Sequence, residues 1–209
     1  MPIDAIHRHG VVALGLVVVA LASGWPATGR AQGDHSHHHA AAAQALPSGL
    51  SRRMVDVRLP EVTVQQHDGR KLRFAQQFAG EAPVVVNFIY TSCTAICPPM
   101  TQILAHTQHT LGDRAGQLRM VSVSIDPEHD TAARLAEYAR RFSAGAQWQF
   151  DTGSQATSDA IQRAFGVYSP DRMSHTPTTF VRARGATQWV RLDGFATPEL
   201  LIREAMGDH

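Results

Sequence analysis

The junction at residues 84–100 limits the possible folds more than any other part of the chain. Val84-Val85-Val86-Asn87-Phe88-Ile89-Tyr90 is a short, β-branched and almost wholly apolar run. It passes directly into Thr91-Ser92-Cys93-Thr94-Ala95-Ile96-Cys97-Pro98-Pro99-Met100. A strand without apolar–polar alternation is buried on both faces, so it needs a sheet around it and cover above and below. Pro98 and Pro99 suit the first turn of a helix, where the missing N–H would go unbonded in any case. The junction therefore reads as a central strand, a thiol-bearing turn and a helix N-terminus. In open α/β sheets, sites are built at that end of the central strands. The positive end of a helix favours thiolate, so Cys93 and Cys97 are both expected to titrate low and to suit metal binding or disulfide exchange.

The rest of the chain supplies the partners such a strand requires. Residues 118–125 (LRMVSVSI) form a second buried run and 148–150 a short one. Segments 62–66 and 71–74 flank the turn His67-Asp68-Gly69-Arg70, and 178–182 and 188–192 read as a hairpin around Gly185. Helical spacing appears where Ile103, Leu104 and Leu111 recur, and again over 131–142, 156–165 and 199–206; Thr197 can cap the last of these, with Pro198 at its first position. Alternating β and α segments closed by a hairpin and a helix define one α/β domain of about 155 residues, starting near Arg52. No internal repeat is visible.

Upstream, residues 11–22 (VVALGLVVVALA) are continuously apolar and follow Arg8. A membrane-spanning helix needs about 20 such residues. A basic start, a shorter apolar run and small residues up to Ala31 fit a secretory signal peptide, with an uncleaved anchor as the alternative. Residues 1–31 are thus expected to be a signal peptide or N-terminal anchor, and 32–51 a His/Ala-rich flexible linker. His35, His37, His38 and His39 in that linker suit a divalent metal, though nothing there fixes a geometry. Export would put domain 52–209 in the periplasm, free or tethered to the outer face of the inner membrane, where a disulfide can persist. The 19 Lys+Arg and 18 Asp+Glu leave a formal charge of +1. That balance gives no bulk attraction to nucleic acid.

Only two cysteines are present. A stabilising disulfide between them would close a very short loop and contribute roughly 2 kcal/mol, the low end of what disulfides give. Their place at a strand end favours chemistry instead. Among the 12 histidines, His106 and His109 share a helix face, and His67 sits in a turn. His129 lies in the acidic 126–130 turn, where capping and solvation account for the polar cluster. His175 stands just before a strand.

Taken together, the strand followed by TSC-x-x-x-C-P, the segment SVSIDPEHDT and the histidine ahead of a later strand resemble the Sco/SenC family across 52–209. The resemblance implies a thioredoxin-like fold, a central mixed sheet flanked by helices. It also implies a copper site made of Cys93, Cys97 and His175, with Cys93 and Cys97 as a redox-active pair. Two thiolates and an imidazole are a soft set suited to Cu(I) and still competent for Cu(II). The implied function is that of an exported metallochaperone that matures the binuclear copper centre of a terminal cytochrome oxidase. Its partners would be the oxidase subunit holding that centre, an upstream copper donor and a thiol reductant. Asp126 matches the aspartate of the family's S-x-D-P segment, with presentation of the site to a partner as one role. Two departures stand out. Ser174 replaces the aspartate usual before the histidine, leaving Asp171 as the nearest carboxylate, and Pro177 occupies a place where thioredoxins and peroxiredoxins carry a proline against their thiols. Pro177 favours the alternative of a thiol–disulfide oxidoreductase with copper incidental. A thiol peroxidase is a more distant third class.

Overall fold

The computed structural model describes residues 46–207. In chain order the elements are β1 (Ser51–Val55), β2 (Thr63–Gln66), β3 (Lys71–Arg73), β4 (Val84–Ile89), α1 (Cys97–Leu111), β5 (Arg119–Ser124), α2 (Ala132–Arg141), β6 (Trp148–Thr152), α3 (Gln155–Ala164), β7 (Thr178–Arg182), β8 (Trp189–Asp193) and α4 (Pro198–Met206). Short 3-10 turns cover Phe74–Phe78, Gly112–Gln117 and Arg172–Ser174. The strands form one mixed sheet in the order β1-β8-β7-β4-β5-β6-β2-β3.

All six residues of β4 are buried, as the unbroken apolar run requires. The strand lies between parallel β5 and antiparallel β7, and α4 packs against both β4 and β7 while α1 packs on α4. Phe88, Phe165, Phe180 and Trp189 meet edge to face. Tyr138, Trp148 and Phe150 form a second aromatic group. The one polar residue of the strand, Asn87, accepts from the Ser122 hydroxyl at 2.6 Å, and Ser122 in turn accepts from Trp148 Nε1 at 2.9 Å. Each buried side chain of this size contributes about 1.5–3 kcal/mol. Central β4 is therefore a rigid base for whatever follows its last residue.

Helix starts follow the sequence. Thr131, Ser154 and Thr197 each accept an N–H from the first turn of α2, α3 and α4 respectively. Two elements differ from expectation. Strand β6 runs on to Thr152, because Asp151 and Thr152 pair with β2. Strand β1 was not foreseen: its residues Ser51-Arg52-Arg53-Met54 are exposed and carry no alternation. Pairing makes it a strand, with Ser51 opposite Asp193 through Val55 opposite Trp189, and Arg52 forks onto Glu204 of α4 at 2.7 and 2.8 Å. Just beyond β8, Gly194 has φ +117 and backbone from Gly49 and Leu50 packed against it. Any side chain there would collide with the entry to β1.

The histidine-rich segment at 34–39 and the proposed leader lie outside the described residues. Among the described residues, no helix is long and apolar enough to cross a membrane.

Candidate thiol and metal site

Beyond β4 the chain turns through residues 90–96, and α1 begins at Cys97 itself. Ile96 occupies the capping position without a side-chain bond. The Cys93 sulfur takes over that role, accepting the Cys97 N–H at 3.3 Å. Both thiols are free, and both are buried, Cys93 at 7% exposure and Cys97 at 0%. Behind them Thr101 donates its hydroxyl to the Cys97 carbonyl at 2.8 Å.

The two sulfurs are electrostatically unequal. Burial pushes Cys93 up, but the Cys97 thiol and the N–H groups of Cys97, Ala95 and Ile96 outweigh it and hold Cys93 below the ordinary thiol range. Burial pushes the Cys97 thiol far up, and the bond to Cys93 adds to the rise. The sequence reading expected both to titrate low, and this corrects it. N–H groups at a helix start converge on one atom, and here that atom is the sulfur ahead of the helix. Tyr90 borders the pair; burial first, then its hydrogen bond to Cys93, lifts its hydroxyl to about 12.

The acidic turn after β5 is also other than expected. Asp126 and Asp130 are 4% and 1% exposed, so solvation does not account for them. Asp130 accepts the Thr91 N–H at 3.1 Å, the Thr91 hydroxyl at 2.5 Å and the Ser124 hydroxyl at 2.7 Å. It thereby ties the start of the thiol turn to the end of β5. The sequence signal was present in that a carboxylate follows a strand end, but only the parallel β4–β5 pairing shows what it reaches. Asp126 holds His129 at 2.8 Å and Arg172 at 3.4 Å, while its Oδ2 is buried without a partner. It lines a polar cleft of about 190 Å³ together with Arg172 and His175.

His175 follows the 3-10 turn Arg172–Ser174. Its Nε2 lies 3.1 Å from the Phe88 carbonyl oxygen of β4. A carbonyl can only accept, so the proton is on Nε2 and the Nδ1 lone pair is free. Burial lowers its basicity, with the Phe88 bond opposing, which keeps the ring neutral near pH 7. Asp171 does not orient the ring. It caps its own turn, accepting Met173 N–H at 2.9 Å and the Ser174 hydroxyl at 3.0 Å. Pro177 offers its carbonyl to Gly194 N–H at 2.8 Å. The structure thus puts the two thiols together and seats the imidazole on the strand that leads to them. Among the described residues, no three His, Cys, Asp or Glu side chains converge closely enough to enclose a metal ion. The donor chemistry still fits copper: two adjacent thiols and a neutral imidazole with an unshared lone pair.

Two of the other described histidines have structural settings. His106 bonds Gln102 at 3.0 Å, and His67 accepts the Phe150 N–H at 3.3 Å.

A mixed sheet flanked by helices, with a dithiol turn between a central strand and a helix, defines a thioredoxin-like fold. Comparison with known proteins narrows the class. The SCO1/SenC family model matches residues 60–204, and the chain belongs to that family. The SCO1 protein homolog of Bacillus subtilis (strain 168) is 34% identical over 92 residues, 44% of this chain and 47% of that protein. The match therefore spans about half the length of that relative. A SCO1/SenC family lipoprotein from Bacillus anthracis str. Ames superposes with a TM-score of 0.60 at 20% identity, covering 72% of this chain and 94% of the other. Bradyrhizobium japonicum ScoI with copper bound gives 0.52 at 20% identity, covering 60% and 83%.

Proposed function

We propose that this protein, exported and reduced, binds copper through Cys93, Cys97 and His175 and passes it to the oxidase subunit that holds a binuclear copper centre. The observation that carries this reading is the state of His175. Its Nε2 proton is spent on the Phe88 carbonyl, leaving a neutral nitrogen donor held against the strand that leads to two free thiols. Metal-ligating histidines commonly carry such a bond on the other ring nitrogen. Cys93, the more acidic sulfur, meets the incoming ion from an upstream donor first. Cys97 loses its proton only on coordination, so loading releases protons and unloading takes them up. That a Sco protein has been obtained with copper bound supports copper as the cargo. A thiol reductant keeps the pair from closing into a disulfide.

The test is an anaerobic titration of the reduced chain with Cu(I) against a competing chelator, and with Cu(II) by absorption. One equivalent bound tightly, lost in both Cys93→Ser and His175→Ala, is expected. Binding that ignores His175 would count against the site.

The inequality of the thiols favours a second reading. As an oxidoreductase, the Cys93 thiolate would attack a client disulfide and form a mixed disulfide. Cys97 would then displace the client as a dithiol, leaving an internal disulfide for the reductant to reopen. Client reduction at full rate by His175→Ala would favour it.

A further inference from the structure

One side chain beside the thiols is left without a role by the reading above. Met173 is 75% exposed, more than any other large apolar side chain among the described residues. It sits in the 3-10 turn two positions before His175, and that turn is pinned at several points. Asp171 accepts its N–H at 2.9 Å, Asp171 and Ser174 bond each other, and Arg172 reaches Asp126 on the neighbouring loop at 3.4 Å. The Met173 backbone is therefore placed rather than drifting, while its side chain is in solvent.

A singly exposed methionine is ordinary on a protein surface. The second observation separates this one. The Tyr90 hydroxyl donates to the Met173 sulfur at 3.5 Å, and after burial Cys93 is the strongest influence on that same hydroxyl's acidity. Tyr90 is 6% exposed, so its hydroxyl needs a partner, and the one it donates to is the Met173 sulfur. One buried phenol thus links a solvent-facing thioether to the more acidic thiol. A thioether is a neutral, soft donor that favours Cu(I) over Cu(II). Being uncharged, it can hold Cu(I) at the surface without the desolvation cost a carboxylate would impose.

Resting on the copper reading, we propose that Met173 is a further ligand of this site, supplying its thioether to Cu(I) and not to Cu(II). Cu(I) is then held by three sulfurs and the imidazole, with the exposed thioether on the side from which a partner protein approaches. Where the ion bound is Cu(II), the thioether stays uncoordinated and the site uses only the two thiolates and His175.

The experiment uses the reduced full chain, unlabelled and with selenomethionine, loaded with one equivalent of Cu(I). Met173→Leu keeps size and apolarity at an exposed position, so folding is preserved. X-ray absorption of the selenium-labelled protein should show a copper–selenium path that Met173→Leu abolishes. In chelator competition the same variant should bind Cu(I) about tenfold more weakly, equivalent to about 1.4 kcal/mol. Its Cu(II) sulfur-to-copper absorption should be unchanged. Cu(I) binding that needs Cys93 yet shows no copper–selenium path overturns this proposal and leaves the copper reading standing. Cu(I) binding indifferent to Cys93→Ser overturns both.

Discussion

At the scale of single residues, the helix start divides labour between two chemically identical side chains. Three main-chain N–H groups act on Cys93, while Cys97 sits fully buried in the first helical turn. Iodoacetamide at neutral pH should therefore modify Cys93 first, with a rate midpoint below that of a free thiol, and should leave Cys97 unmodified until the protein unfolds. Mass spectrometry after partial alkylation reads this directly; equal labelling of both would contradict it. Asp130 is the second residue with a disproportionate role. Asp130→Ala leaves the half-buried Thr91 N–H and hydroxyl and the buried Ser124 hydroxyl without their acceptor, at a cost of about 3 kcal/mol. Denaturant melts should show that loss, and Cys93 should alkylate faster in the folded variant because its turn is no longer tied to β5.

At the scale of elements, what could be read in advance and what could not have different physical origins. Strand β4 was legible because burial on both faces removes alternation from its residues, and α2, α3 and α4 were legible through amphipathic spacing and, for α4, its cap. Strand β1 was not, because an edge strand built from Ser51, Arg52, Arg53 and Met54 has no burial to leave a pattern; the free edge of β8 makes it a strand. In the site, the cysteines announced themselves by position. His175 stood out by resemblance and by its place before a strand, since its partner is a main-chain carbonyl that leaves no mark in the sequence. The same holds for Asp130, whose role depends on strand register. Strand β6 supplies a further test. Asp151 is fully buried, bonded to Gln77 at 2.5 Å, and burial lifts its carboxyl to about 7. The unfolded chain ionises near the ordinary carboxylate value, so the contribution of Asp151 to stability is greatest below that value. It falls as pH rises towards 7, by roughly 4 kcal/mol in all, and levels off above. Asp151→Asn should flatten this slope, which chemical denaturation at about pH 5 and about pH 7 will show. An unchanged slope would assign the pH dependence elsewhere.

At the scale of the whole molecule, the sheet is closed at one side by β1, Ser51–Val55. Removing residues 46–55 takes away β1 and the Arg52–Glu204 fork and bares the edge of β8. The truncated chain should melt about 5 °C lower, equivalent to ~2 kcal/mol for a domain of this size. It should also self-associate with rising concentration, as an open strand edge invites; scanning calorimetry and light scattering measure the two effects. A monomer of unchanged Tm would show that β1 is an ornament of the fold. The bond from His175 to Phe88 has a different kind of consequence. Where a carboxylate selects a histidine tautomer, one substitution can undo the choice. Here the selecting atom belongs to the peptide chain of the innermost strand, which every amino acid carries alike. The protein therefore has no side chain to lose at that point, and Ser174, which carries no charge, can stand directly before His175. The tautomer is inherited with the topology, and mutation can reach it only by breaking the sheet.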